Sequence, residues 1–137
     1  LKNNGEMNFV LPGFLVGNYY YIAIKHRNTI ETWSKQPVLL SNNTFYDFTN
    51  SILKSYADEG TSSMKLLENG IYGFFSGDLN QDGTVDGSDM NVVDNNTAAG
   101  VFGYEISDVN GDGATDGLDM NIVDNNTIIG IFYSRPY

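Results

Sequence analysis

The sequence predicts an α+β protein in two parts. Residues 1–76 are predicted to form a small antiparallel β-sandwich, or part of one, and residues 77–137 an all-α pair of loop–helix units. Apolar and polar residues alternate with period two in several short runs of the first part. A twenty-residue segment occurs twice in the second part, thirty residues apart, and each copy ends in an apolar stripe of helical period.

The first part has the pattern of short strands separated by turns. In the run NYYYIAIKHR, Tyr20, Ile22 and Ile24 alternate with residues that would occupy the other face of a half-buried strand. Asn69-Gly70 favours a hairpin, because both residues tolerate positive φ. The predicted strands are 6–11, 18–27, 30–34, 37–41, 44–49, 63–67 and 71–75. Because 76 residues are few for a complete sandwich, the alternative is that its remaining strands precede residue 1.

Two features of this part could indicate a function of its own: a single histidine and a group of aromatic residues. His26 lies between two basic residues but has no nucleophile motif or paired acid, so the sequence does not predict an enzyme. The aromatic residues Tyr19, Tyr21 and Trp33 would suit stacking on a sugar, although aromatic residues in such runs more often belong to a half-buried sheet. Carbohydrate binding or an adhesin role therefore stays open as an alternative.

Charge is distributed unevenly along the chain. The formal net charge is −10, and residues 78–137 hold eleven of the seventeen acids but a single base, Arg135. So dense a set of carboxylates would repel nucleic acid phosphates and favours a cation as ligand. Cysteine is absent, which excludes disulfides and thiolate zinc sites. No apolar run approaches the roughly 18 residues of a membrane span, so membrane insertion is not expected.

The repeated segment reads DLNQDGTVDGSDMNVVDNNT from residue 78 and DVNGDGATDGLDMNIVDNNT from residue 108, with fourteen of twenty letters identical. Each copy opens with a twelve-residue acidic loop, named here loop 1 (residues 78–89) and loop 2 (residues 108–119). Residues with side-chain oxygens occupy the first, third, fifth, ninth and twelfth places, and the seventh offers its backbone carbonyl. This spacing lets one short loop surround a hard cation such as Ca²⁺. The predicted ligands are Asp78, Asn80, Asp82, Thr84, Asp86 and Asp89 in loop 1, and Asp108, Asn110, Asp112, Ala114, Asp116 and Asp119 in loop 2.

Each place in the loop has its own predicted role. The seventh residue would supply its backbone carbonyl, the ninth a contact through water, and the twelfth the closing carboxylate. Gly83 and Gly113 occupy the sixth places, where the chain turns sharply. The pattern departs from the EF-hand signature only at the twelfth place, which holds Asp instead of Glu. Two Ca²⁺ ions are thus expected, and Mg²⁺ fits poorly because it keeps a small octahedral shell.

A short helix is predicted after each loop, over residues 88–97 and 118–127. Met90, Val93 and Thr97 recur at helical spacing, as do Met120, Val123 and Thr127 in the second copy. Paired asparagines are weak helix formers, and Gly100 and Gly130 are natural stops, so both helices are predicted to be short. The two apolar stripes are expected to pack together around an approximate twofold axis.

Paired loops of the form D-x-N-x-D-G-x-x-D-x-x-D, each followed by one helix, resemble a type I dockerin over residues 77–130. The resemblance implies that calcium folds the module and that its helices dock on a cohesin-like protein or another surface scaffold. It places recognition at the loop ends and on the helices. Those positions are Gly87, Ser88, Asp94, Asn95 and Ala99 in the first copy, and Gly117, Leu118, Asp124, Asn125 and Ile129 in the second. The loop-end pairs depart from the hydroxyl pair common in the family.

The leading prediction is a calcium-dependent protein-interaction module at the C-terminal end of a larger, monomeric bacterial protein. That protein is expected to be extracellular or on the cell surface, where calcium is near 10⁻³ M, and to take part in adhesion or polysaccharide degradation. The alternative is a structural element whose loops clamp the C-terminal end onto the β-rich part. Thr115 replaces the apolar residue found at Val85, so loop 2 is expected to be less buried and to release calcium first.

Overall fold

The structure, a computed structural model, describes residues 6–58 and 62–137, and its mixture of short antiparallel strands with two helices confirms the α+β class. The described strands form three two-stranded antiparallel ladders, β1 with β4, β2 with β3, and β5 with β6. Their bounds are β1 Tyr19–Tyr20, β2 Ala23–Ile24, β3 Thr32–Trp33, β4 Val38–Leu39, β5 Met64–Glu68 and β6 Ile71–Phe74. Single turns of 3-10 helix cover Gly13–Leu15 and Ile52–Lys54.

The strand predicted over 18–27 is interrupted at its centre. Tyr20 pairs with Val38 and Ala23 with Trp33, so two residues on one strand face four on the other. At the break, the N–H of Ile22 donates to the side-chain oxygen Oγ of Ser34 (3.0 Å) instead of to a backbone carbonyl. Pro37 lies in the longer segment and has no N–H to donate. These features divide one predicted strand pair into two short ladders.

The hairpin predicted at Asn69-Gly70 is confirmed. Both residues have positive φ, 50° and 77°, and they join β5 to β6 in a register that pairs Met64 with Phe74. Segments 6–11 and 44–49, in contrast, contain no strand, so those two predictions were wrong. The hydroxyl of Thr44 and the carboxylate of Asp47 instead hydrogen-bond local backbone atoms, which competes with strand pairing. The sandwich over residues 1–76 remains a prediction, because the described ladders do not extend into two stacked sheets.

Both predicted helices are present and are longer than expected, α1 over Gly87–Ala99 and α2 over Gly117–Ile129. They end where the sequence indicated, at Gly100 and Gly130, which are left-handed C-caps. The asparagine pairs do not shorten them. Asn96 and Asn126 turn inward and make side-chain hydrogen bonds, which offsets their weak helix propensity. Neither helix of the described chain has the length and apolar character needed to cross a membrane.

One hydrophobic core joins the N-terminal part to the repeats. Val93 of α1 and Val123 of α2 lie at its centre and are fully buried, as the apolar stripes predicted. Ile30 and Phe75 from the N-terminal part belong to the same cluster. Its other members are Leu79, Val85 and Ile131, with Met90, Val92, Val109, Met120 and Tyr133 packed against them. A boundary at residues 76 and 77 stays a prediction, but apolar packing is continuous across it.

The two copies exchange their trailing segments. Phe132, which follows α2, bridges Thr84 of loop 1, and Phe102, which follows α1, bridges Ala114 of loop 2. The flanking hydrogen bonds repeat with the same thirty-residue offset: Val85 N to Ile131 O (2.9 Å), Thr115 N to Val101 O (3.1 Å), Tyr133 N to Gly83 O (2.8 Å) and Gly103 N to Gly113 O (2.9 Å). This reciprocal exchange relates the copies by an approximate twofold. The eighth residues, Val85 and Thr115, therefore bond the trailing segments.

Candidate metal loops

Each acidic loop is anchored where its helix begins. Asp86, the ninth residue of loop 1, caps α1 by accepting from the N–H of Ser88 (2.7 Å), and Asp116 caps α2 in the same way (2.8 Å). The hydroxyl and N–H of Ser88 both donate to Asp86 and lower the pKa of that carboxyl. The predicted water-mediated ligand is thus also a helix cap in both copies.

The third and fifth residues shape the outer turn of each loop. In loop 1 the side-chain oxygen Oδ1 of Asn80 accepts from the N–H of Asp82 (2.8 Å), and Oδ1 of Asp82 accepts from the N–H of Thr84 (3.0 Å). The matching distances in loop 2 are 2.8 Å and 2.9 Å. These bonds bring two predicted ligands of each loop side by side, since Nδ2 of Asn80 also lies 2.8 Å from Oδ2 of Asp82.

Asp78, the first residue of loop 1, is a buried carboxylate that lacks a full set of partners. It is 2% exposed, and its Oδ1 is buried without a hydrogen bond. Burial, reinforced by the negative charges of Asp89 and Asp82, raises the pKa of Asp78 to about 6. A cation in the loop would give Oδ1 of Asp78 a partner and would offset the repulsion between the three carboxylates.

The twelfth residue of each loop already has backbone partners. Oδ1 of Asp89 accepts from the N–H groups of Leu79 (2.7 Å) and Asn80 (3.1 Å), and Oδ2 accepts from that of Asp86 (3.0 Å). Asp119 accepts from Val109, Asn110 and Asp116 in the same pattern. Both carboxylates are fully buried. The residue predicted to close the metal shell therefore also ties the start of the loop to the start of the helix.

The seventh residues keep their carbonyl groups outside the exchanged ladder. On either side of Thr84, the ladder uses the carbonyl of Gly83 and the N–H of Val85. On either side of Ala114 it uses those of Gly113 and Thr115. The carbonyls of Thr84 and Ala114 take no part in these bonds, as their predicted role as ligands requires.

Loop 1 is covered by the chain that follows α2, and no described residue makes the equivalent contact at Gly113 of loop 2. The ring of Tyr133 packs on Gly83 so closely that a Cβ at residue 83 would lie 1.8 Å from Cδ1 of the ring. Residue 103 occupies the corresponding position in the first copy, and it is a glycine. Gly113 has open space where a Cβ would project. A polar cavity of about 110 Å³ adjoins loop 1, lined by Lys25, Glu31, Asp78, Gln81, Asp82, Gly83, Tyr133 and Arg135.

Thr115 was predicted to make loop 2 less buried, but Thr115 is itself buried. It is 5% exposed, and its Oγ1 lies 2.9 Å from Oγ of the buried Ser107. Nδ2 of Asn96 also donates to that Ser107 oxygen (2.7 Å). The first copy uses an apolar contact instead: a Cβ on Gly77 would lie 2.9 Å from Cγ1 of Val85. The difference in exposure between the loops comes from Tyr133, not from Thr115.

All ten predicted partner-contact positions are exposed. The copies differ there in character, because α2 presents Leu118 (58% exposed) and Ile129 (62% exposed) where α1 presents Ser88 and Ala99. Exposed acids and amides lie between them, Asp94 and Asn95 on α1 and Asp124 and Asn125 on α2. The outer faces of the helices are therefore accessible, while their inner faces form the core.

Tyr21, Trp33 and His26 of the N-terminal part make local side-chain contacts. Tyr21 meets Trp33 edge to face, with ring centroids 6.4 Å apart, and the indole N–H of Trp33 donates to Glu31. Tyr19 is exposed on β1. His26 donates from Nδ1 to Oδ1 of Asn28 (3.1 Å). This bond gives His26 a structural role. Its partner, Asn28, bonds the chain at the start of loop 2, a contact that no sequence pattern indicated.

A calcium ion in these loops would need amide and carbonyl oxygens as well as carboxylates. Across residues 6–58 and 62–137, no three His, Cys, Asp or Glu side chains stand close enough together to form a metal site by themselves. A loop of this spacing also draws on amide and backbone carbonyl oxygens. Asp78, Asn80, Asp82 and the carbonyl of Thr84 would supply them in loop 1, and the orphaned Oδ1 of Asp78 is the observation that favours a cation there.

Sequence reasoning missed Tyr133 and Asn28. A signal for Tyr133 exists, because the copies continue to correspond beyond the repeat, with Val101-Phe102 matching Ile131-Phe132. Asn28 occurs once, outside any repeat, so its role is visible only in the folded chain.

No protein-family model, curated protein or solved structure matches this chain.

Proposed function

We propose that the chain binds two Ca²⁺ ions, one in loop 1 and one in loop 2, and that this binding stabilises a protein-docking module. The buried, partnerless Oδ1 of Asp78 carries the metal proposal. It lies in a loop with two further carboxylates that raise its pKa, and a cation lowers the free energy of such a group. The bound ion supplies charge compensation; the chain supplies the oxygen donors and the helix caps that hold them.

Calorimetric titration of calcium into the metal-stripped chain tests this proposal. We expect two ions per chain for the wild type, one each for Asp82→Ala and Asp112→Ala, and none for the double variant. Asp94→Ala and Asp124→Ala are matched controls, since they remove the same charges from the exposed helix faces and should still bind two. A wild-type stoichiometry near zero, or equal losses in the controls, would contradict the metal proposal.

We further propose that the exposed helix faces bind a cohesin-like protein or another surface scaffold, at the end of a secreted or surface-displayed bacterial protein. The exposure of all ten predicted contact positions supports this proposal. The apolar side chains of Leu118 and Ile129 favour α2 as the main contact. The likeness to a dockerin pair and the extracellular location belong to the same proposal.

Binding to immobilised cohesin modules, in calcium and in chelator, tests the docking proposal. Leu118→Asp and Ile129→Asp should each weaken binding at least tenfold, and both side chains are exposed, so the fold should persist. Asn91→Asp and Asn121→Asp place a negative charge at exposed helix positions outside the predicted contact set and serve as controls. Calcium binding without any calcium-dependent partner would favour the alternative, a structural clamp, which the shared packing of Ile30 and Phe75 supports.

A further inference from the structure

Asn28 lies between the starts of the two loops. It is 2% exposed, and its backbone carbonyl accepts from the N–H of Gly77 (2.7 Å), the residue before Asp78. Its side-chain Nδ2 donates to the carbonyls of Asp108 (3.1 Å) and Ile106 (3.3 Å). Asn28 is thus hydrogen-bonded to the residue just before the first predicted ligand of loop 1 and to the first predicted ligand of loop 2 itself.

Asn28 contacts corresponding stretches of the two copies, although through different atoms. Residues 76–78 and 106–108 correspond under the thirty-residue offset, and Asn28 occupies the space between them. Each start is also held by the opposite helix, since Asn126 donates to the carbonyl of Ser76 (2.7 Å) and Asn96 to the hydroxyl of Ser107 (2.7 Å). The Asn28 contacts differ from these because they join the two starts to each other.

We propose that Asn28 is a positioning residue that couples the two calcium loops to each other and to the N-terminal part. This inference rests on the proposed calcium binding. An ion in one loop fixes its first ligand and the backbone on either side of it. Because Asn28 bonds both loop starts, the first ligand of the other loop is then also held in place. That loop loses less conformational entropy when it binds its own ion. Coupling of this kind acts equally in both directions.

The side chain of Asn28 is well suited to this role because its polar atoms are all used. Nδ2 serves two carbonyls, and Oδ1 accepts from His26. Aspartate at the same position would keep the size of the side chain but lose both donors. It would also place a negative charge against two carbonyl oxygens, so Asn28→Asp disrupts the contact without leaving a cavity.

The coupling extends into the N-terminal part through neighbouring backbone bonds. Thr29 bridges Ser76, and the N–H of Ile30 donates to the carbonyl of Phe75 (2.9 Å). Trp33, the single tryptophan of the chain, follows on β3. Its fluorescence therefore reports on the N-terminal part while calcium is added to loops that contain no tryptophan.

Calcium titrations of the full chain test the proposal, followed both by calorimetry and by Trp33 fluorescence. For the wild type we expect cooperative binding, with a Hill coefficient above 1, and a fluorescence change that tracks it. For Asn28→Ala and Asn28→Asp we expect two ions still to bind, a Hill coefficient near 1, an affinity lower by about tenfold and a reduced fluorescence change. Asn50→Ala, at an exposed asparagine that bonds Asp47, is the matched control and should behave as wild type.

Unchanged cooperativity in both Asn28 variants would overturn the inference while leaving calcium binding intact. If both variants fail to fold, Asp112→Ala provides the decision, because it leaves only loop 1 to bind calcium. Slower amide exchange at residues 106–108 when calcium is added supports the inference, and unchanged exchange there overturns it. A wild type that binds no calcium would refute the proposed function instead. Amide exchange in chelator gives an independent readout. Asn28→Ala removes the side-chain bonds to Ile106 and Asp108 but keeps the backbone bond to Gly77, so exchange should become at least tenfold faster at the start of loop 2. Unchanged exchange there refutes the link.

Discussion

The ring of Tyr133 occupies the space into which a side chain at Gly83 would project. A Cβ there would lie 1.8 Å from Cδ1 and 2.0 Å from Cε1 of the ring. The corresponding contact is absent at Gly113, although both glycines have nearly the same positive φ, 93° and 90°. Two loops with the same ligand spacing are thus covered to different extents, because the trailing segment on loop 1 carries Tyr133 where the one on loop 2 has Gly103.

Alanine at the two sixth-place glycines should have unequal effects on stability. Gly113→Ala should lower the free energy of unfolding by about 1–2 kcal/mol, the cost of a left-handed conformation with a Cβ. Gly83→Ala should cost about 2 kcal/mol more, because the ring of Tyr133 must also move. Urea denaturation in chelator measures both. Equal losses would show that the ring does not restrict residue 83.

Loop 2 should release calcium before loop 1. Tyr133 limits solvent access to loop 1, and nothing equivalent covers Gly113. Chelator-induced release should therefore show two phases in the wild type, and Asp112→Ala should remove the faster one. Tyr133→Ala should accelerate the slower phase by about tenfold and leave the faster one unchanged. The ranking would be contradicted if Asp112→Ala removed the slower phase, or if Tyr133→Ala left both phases unchanged.

Asp89 should have a structural role that persists without metal. Its carboxylate accepts three backbone N–H groups, and Asn at this position would turn an N–H₂ group towards some of them. Asp89→Asn should therefore lower the free energy of unfolding by about 2–3 kcal/mol in chelator. Asp82→Asn, which changes an exposed residue, should cost less than about 1 kcal/mol under the same conditions. Equal stability of the two variants would assign Asp89 to metal binding alone.

The buried contact between Ser107 and Thr115 should contribute measurably to the second copy. Their oxygens are 2.9 Å apart and away from solvent, so Thr115→Val should cost about 1–2 kcal/mol despite its similar shape. A double-mutant cycle with Ser107→Ala measures the coupling between the two hydroxyls. Zero coupling would mean that Asn96 alone satisfies Ser107.

Metal-free protein should become less stable as the pH rises through about 6. The pKa of Asp78 is raised to about 6 in the folded chain, against about 3.9 when unfolded. The neutral form therefore favours folding; its contribution is complete below about pH 4 and is lost as Asp78 ionises. The change should reach about 1–2 kcal/mol between pH 4.5 and 7.5 in chelator. Asp78→Asn should remove it and Asp94→Asn should retain it; an equal slope in all three proteins would contradict this origin.

Elements specified by local pattern were predictable. The helices begin at Asp caps and end at left-handed glycines, and the hairpin turns at Asn69-Gly70, because each feature depends on a few neighbouring residues. The strands were less predictable from the sequence. The alternation at Tyr20, Ile22 and Ile24 predicted one continuous strand, but the partner strand carries two extra residues and the side chain of Ser34 takes the place of a ladder bond. A pattern on one strand contains no information about its partner.

The sequence by itself determined the two acidic loops, their helices and the apolar stripes that meet in the core, since these follow from spacing within each copy. Only the tertiary structure decided which segments the loops pair with, how Tyr133 distinguishes one loop from the other, and that Asn28 joins both. Several of those relationships connect residues far apart in the chain, such as Tyr133 with Gly83 and Asn28 with Asp108. They arise because the copies fold against each other and against the N-terminal part, where burial and backbone geometry, not sequence proximity, select the contacts.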